Sequence, residues 1–155
     1  MTQTKQRQQN PNEMAEQLAD SIWRLTADWG DFAKSSIGLP LTRSVDGVAL
    51  QLAMSLGRNS VKDHLGRISS ARKGLTPASY WLQRATKRGL LAEEQAERIR
   101  AQMLALANRL EEHAQAVVQA TNKKIAEQKQ QPMKEEAAAT QVDSADLGAE
   151  MAPAH

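Results

Sequence analysis

The residues best placed to do chemistry in this chain are cationic. Positions 41–90 carry nine Lys or Arg against two Asp or Glu, a local net charge of +7 in a protein of total +2. They are Arg43, Arg58, Lys62, Arg67, Arg72, Lys73, Arg84, Lys87 and Arg88, and no acid interrupts positions 64–92. At 100° per residue, Arg58, Lys62, Lys73, Arg84 and Lys87 fall within about 80° of one another on a helix. Ser69, Thr76 and Tyr80 share that sector. Cations interleaved with hydroxyl donors suit a phosphate backbone, where affinity comes from counterion release rather than base reading. A solvated helix face and a site for an acidic protein surface are the alternatives. Arg43, Arg58, Lys62, Lys73, Arg84, Lys87 and Arg88 are therefore the candidate nucleic-acid-binding residues.

Other chemistries are poorly supplied. There is no cysteine, which excludes disulfides, thiolate catalysis and zinc–sulfur sites. His64 and His113 fall on different helices, His155 is terminal, and no Glu-x-x-His pair occurs. No metal centre and no cofactor are expected. Phosphate loops, nucleophile elbows and dinucleotide fingerprints are missing. Glu93, Glu94 and Glu97 cluster where acids simply stabilise a helix N-terminus. The sequence reads as a non-enzyme with no catalytic residues.

The elements that must carry the cations are helical. Aromatics are 3% of the chain, and its abundant Ala, Leu and Gln favour helix over strand. Ala15, Leu18, Ile22, Leu25, Trp29 and Phe32 step by three and four. They predict a first helix capped by Asn12 and fading near 35–38. Pro40 suits the first turn of a second helix, with a stripe of Leu41, Val45, Val48, Leu52 and Leu56 and a stop at Gly57. Ser60 and Asp63 form a capping box for a third helix. Its seam is Val61, Leu65, Ile68, Leu75, Ser79 and Leu82, with Pro77 inside and an end at Arg88-Gly89. Glu93 and Glu94 open a fourth helix with a seam of Ala96, Ile99, Met103, Leu106, Leu110, Ala114, Val117 and Ala120, which should stop by Pro132. The fold class is all-α, an antiparallel up-down four-helix bundle. Residues 1–11 form a disordered N-terminal tail, 12–131 the bundle and 132–155 a disordered acidic tail. No stretch approaches the roughly 20 apolar residues of a membrane span, and the N-terminus lacks an apolar signal core. A cytoplasmic protein without membrane association is expected.

Some side chains point to assembly. Arg72 sits in a seam between Ile68 and Leu75, where an unpaired guanidinium would be costly. It must snorkel out or pair with an acid across a helix or subunit interface; Asp46 and Asp28 are conceivable partners. Trp29 and Phe32 read as core. Trp23 and Trp81 lie beside seams and would pad the core or fill a subunit contact. Trp23, Arg72 and Trp81 are the candidate oligomer-interface residues.

Ile22-Trp23-Arg24-Leu25-Thr26, followed by Trp29, resembles the first helix of a bacterial four-helix-bundle family. That family includes ribosomal RNA intervening-sequence proteins and the accessory variability determinant of diversity-generating retroelements. Gly57-Arg58-Asn59-Ser60, Lys62-Asp63, Ala71-Arg72, Leu75, Leu82, Ala85 and Gly89-Leu90-Leu91 extend the resemblance over roughly residues 15–118. Gln51-Leu52-Ala53-Met54-Ser55 and Lys73-Gly74 depart from its commonest pattern. The resemblance implies an up-down bundle assembling as a ring-like homopentamer. It also implies a basic scaffold that binds RNA or DNA and, in retroelements, a reverse transcriptase. A docking module that binds only proteins is the competing expectation, and a selfish-element protein a third.

Overall fold

The computed structural model describes residues 9–57 and 60–146. Its helices are α1 (Pro11–Ala27), a short α2 (Asp31–Ala33), a π-helical turn (Lys34–Gly38), α3 (Leu39–Ser55), α4 (Val61–Lys87) and α5 (Glu93–Asp146). The turn joins α2 to α3 without a break, so the elements make four bundle helices. The chain divides into two compact units, Met1–Gln115 and Ala116–His155.

Local chemistry sets each boundary in the first unit. Asn10, rather than Asn12, caps α1: its side-chain oxygen accepts from the Asn12 N–H at 3.0 Å. Pro11 takes the first helical position, where its missing N–H costs nothing. α1 ends at Ala27, not near 35–38. The chain turns through Asp28–Gly30, and a new helix starts at Asp31. Phe32 therefore leaves the phase of the α1 seam and is 86% exposed, not core. Trp29 stays half-buried against the core.

Pro40 does lie in the first turn of α3, but that turn is not a free helix start. Pro40 has no N–H for the ladder, and its ring crowds the carbonyl four residues back. The π turn widens the helix there, with the Leu39 N–H donating to the Lys34 carbonyl. Leu41, Val45, Val48 and Leu52 are buried as expected, whereas Leu56, beyond the last turn, is exposed.

The Ser60 hydroxyl accepts from the Asp63 N–H at 3.2 Å and donates to the Asp63 carboxylate at 2.8 Å, capping α4. The buried face of α4 is Ile68, Ala71, Leu75, Ala78, Leu82 and Ala85. Val61 and Ser79 are exposed, contrary to the expected seam. Three alanines replace them, so the true face is rotated and lets neighbouring helices approach closely. α4 runs on through Pro77. It ends in a Schellman turn: Gly89 adopts φ +73°, Leu90 N–H donates to Ala85 C=O and Gly89 N–H to Thr86 C=O, both at 3.0 Å.

Cross-helix contacts fix the topology. Ser79 meets Met103, Arg72 meets Glu111 and His64 meets His113, so α4 and α5 are antiparallel. Gly74 abuts Val48 and Arg67 reaches Gln51, so α3 and α4 are antiparallel too. Arg109 donates to the Gln9 carbonyl, placing the start of α1 beside α5 well after its first turns. The result is the expected up-down bundle, its core including Ile22, Leu41, Leu52, Leu82, Leu106 and Leu110.

The fourth helix differs from expectation. It does not stop by Pro132 but continues to Asp146. Nothing in α5 after Leu110 is fully buried up to Gln141, and Ala120 is exposed. This stretch is helical through intrinsic propensity, being rich in Ala, Gln, Glu and Lys. The compact unit that holds the buried core is Met1–Gln115. Of the expected tails at 1–11 and 132–155, residues 1–8 and 147–155 lie outside the described residues.

A Cβ added at Gly74 would lie 2.9 Å from Cγ2 of the buried Val48, whereas one at Gly66 meets nothing within 4 Å. G74A should destabilise the fold by about 1 kcal/mol, overpacking outweighing the helix-propensity gain. G66A should stabilise it by about 0.5–1 kcal/mol. Urea denaturation of both variants checks the opposite signs.

Candidate nucleic-acid interface and histidine contact

The buried face of α4 dictates where its cations stand. Lys62, Lys73, Arg84 and Lys87 centre on the azimuth opposite Ile68, Leu75 and Leu82. Lys62, Lys73 and Lys87 are exposed and Arg84 is half-buried. Lys62, Lys73 and Arg84 repeat every eleven residues, so the row extends about 33 Å along the helix. Ser69, Thr76 and Tyr80 lie exposed in the same sector. Among the described residues the ion pairs involve Arg72, Arg100 and Arg109, and none uses these four cations.

The other candidates are dispersed. Arg88 is the exposed C-terminal cap of α4, continuing the row's end. Arg43 is exposed on the outer side of α3, a different helix. Arg58 lies outside the described residues. Beside the row, α4 and α5 enclose an open groove of about 750 Å³, lined by Ser69, Arg72, Lys73, Thr76, Ser79 and Arg100 above Leu75, Met103 and Leu104.

Arg72 takes neither Asp46 nor Asp28. It pairs across helices with Glu111, both side chains roughly half exposed. Arg72 leaves the buried face because Ala71 takes the inward position. Asp46 instead sits near Asp20; burial, then the Asp20 charge, raises its carboxyl pKa.

Trp23 and Trp81 part company. Trp81 is half-buried, packs on the core and meets Tyr80 edge-on at 5.1 Å. Trp23 is 65% exposed. It borders an apolar groove of about 300 Å³ with Thr26, Ala27, Lys34, Gly38, Leu39 and Thr42. Leu39, Leu50 and Met54 extend exposed apolar surface along the outer side of α3.

One contact lies beyond the sequence reading. His64 and His113 are not isolated: their Nε2 atoms are 3.2 Å apart, and His64 Nδ1 is 2.9 Å from the Ser55 carbonyl oxygen. The sequence does hold a signal for it, since an antiparallel hairpin turning at Gly89 brings position 64 opposite the region of 113. Among the described residues no cluster of three potential metal ligands forms.

Taken together, these features define a small antiparallel helical bundle with a cationic outer helix face. The chain belongs to the 23S rRNA-intervening sequence protein family, whose model matches residues 8–112. The fold is similar to the crystal structure of a protein with unknown function from the S23 ribosomal protein family of Bacteroides thetaiotaomicron. The TM-score is 0.60 at 16% identity, covering 68% of this chain and 98% of that one. No curated protein matches the chain. No helix among the described residues is long and apolar enough to cross a membrane.

Burial, then the neighbouring His64 and Arg109, lowers the His113 pKa. The unfolded chain protonates this residue near its ordinary pKa of about 6.5, while the folded chain resists. The stability it contributes is present above that pH and is lost as pH falls toward the folded value. H113Q should flatten the drop in unfolding free energy between neutral pH and about 5.5. Equal drops in wild type and variant, by urea denaturation, would refute this.

Proposed function

We propose that this protein is a non-enzymatic, cytoplasmic, homo-oligomeric scaffold that binds RNA or DNA through backbone contacts along the outer face of α4. The observation that carries this is the row Lys62, Lys73, Arg84 and Lys87. It lies opposite the core, has no acid between Lys73 and Lys87 and is unpaired among the described residues. Such a row supplies affinity by counterion release and carries no base code. The family's association, by name, with a ribosomal RNA intervening sequence supports an RNA-related setting. A reverse transcriptase partner belongs to the retroelement branch of the resemblance and is the narrower proposal.

The triple variant K62E/K73E/R84E tests the row. Its log–log salt slope for binding duplex or single-stranded RNA should fall by about three, one for each cation removed. Helical content should not change, because Lys62 and Lys73 are exposed and half-buried Arg84 is not part of the buried face of α4. Full binding by a folded triple variant would refute the assignment. Co-purification with a reverse transcriptase encoded beside the gene tests the narrower partner.

The exposed Trp23 groove and apolar outer side of α3 favour a second reading, a surface for other protein chains, including further copies of this one. The family resemblance points to a pentamer. Light scattering of the wild type should give a mass of about five chains, and W23A should shift it toward monomer. A wild-type monomer at micromolar concentration would overturn the oligomer.

A further inference from the structure

Ser55 closes α3, His64 lies in the first turns of α4, and His113 stands on α5, 49 residues further along. The Ser55 carbonyl can only accept, so His64 Nδ1 carries its proton and His64 Nε2 presents a lone pair. Metal-bound histidines show this arrangement: the second ring nitrogen donates to a carbonyl, fixing tautomer and ring direction. That lone pair faces His113 Nε2 at 3.2 Å. The rings are inclined at 70° with centroids 5.4 Å apart, so they meet edge to edge rather than stacked. Two imidazole nitrogens bound to one tetrahedral ion at about 2.0–2.1 Å each stand roughly 3.3 Å apart. The observed separation is already close to that value.

We propose that His64 and His113 form a two-histidine site for a borderline divalent transition-metal ion, of the Zn²⁺, Ni²⁺ or Cu²⁺ type, that clips α4 to α5. Neutral imidazole selects these ions over Mg²⁺ and Ca²⁺, which take oxygen ligands. In the metal-free contact one proton bridges the two Nε2 atoms, donated by His113. On binding, water takes that proton and returns one to Nδ1 of the same ring, the rings turn so that both Nε2 lone pairs converge, and the ion sits off the line between the nitrogens at about 2.0–2.1 Å from each. Both imidazoles stay neutral and nothing is oxidised or reduced. No third His, Cys, Asp or Glu among the described residues completes the set, and both rings are half-exposed, so water fills the remaining positions. The ion binds the folded hairpin and not the extended chain, so it stabilises by mass action.

The test is thermal unfolding of the full chain, stripped with chelator and then given ZnCl₂, NiCl₂ or MgCl₂. Zn²⁺ and Ni²⁺ should raise the midpoint by about 3 °C or more, and Mg²⁺ should leave it unchanged. H64Q and H113Q should each abolish the rise, while H155Q should retain it. No rise in the wild type, or a rise that survives in H64Q, overturns the site and leaves the pair a hydrogen bond only. If a Gln variant unfolds too readily to compare, the unaltered chain supplies a second readout. Cu²⁺ should protect His64 and His113 from diethyl pyrocarbonate, followed by peptide mass spectrometry, and equal modification with and without Cu²⁺ overturns the proposal.

Discussion

The left-handed glycine at position 89 is the constraint from which the rest of the hairpin follows. Its φ of +73° is open to glycine at little cost and strained for other residues. It lets Leu90 return its N–H to the Ala85 carbonyl, closing α4 and reversing the chain within a few residues. Once that turn is set, the pairing of α4 with α5 is set too. Ser79 falls against Met103, Arg72 against Glu111 and His64 against His113. The salt bridge itself is worth little at such exposure. Its meaning is positional, since it reports the same register as the two part-buried contacts.

Burial on one side decides what the other side can be. The α4 face that packs inward is half alanine, alternating with Ile68, Leu75 and Leu82. Small side chains bring the neighbouring helices close and leave less than half of the α4 circumference for contact. The opposite arc must meet solvent, and there the sequence has placed cations and hydroxyls without an acid to neutralise them. α3 has spent its outer side differently, on Leu39, Leu50 and Met54 with Trp23 of α1 nearby. One bundle thus presents a charged surface and an apolar one on different helices.

Much of this is legible in the sequence. The stripes of α3 from Leu41 to Leu52 and of α5 from Ala96 to Leu110 can be read residue by residue, because most of their apolar side chains are large and the spacing regular. The Ser60–Asp63 cap and the Gly89 stop are legible because each needs particular chemistry. The α4 face lies one notch from its apparent seam: Val61 and Ser79 point outward where Ala71, Ala78 and Ala85 pack inward, and alanine carries almost no hydropathy signal. Phe32 misleads because the helical count does not carry across the break at Asp28–Gly30. The extent of α5 is hidden because proline argues for a stop while its Ala, Glu and Lys neighbours argue for continuation. The histidine contact requires tertiary register, which periodicity within single helices does not contain.

The π turn at Lys34–Gly38 works as a vernier between two stretches of helix. A wide turn holds one residue more than the α-helical ladder around it, so side chains on either side are offset by about 100°. Within the turn Ile37 and Gly38 are buried; downstream, Leu41, Val45 and Val48 lock onto the core. Removing one residue from the turn would rotate everything between Asp31 and the slip point as a block. It would also shift Ile37, a fully buried core residue carried by the turn itself. Surface identity at this end of the molecule is therefore tied to the packing that holds the fold together, because one residue more or less in the turn changes both.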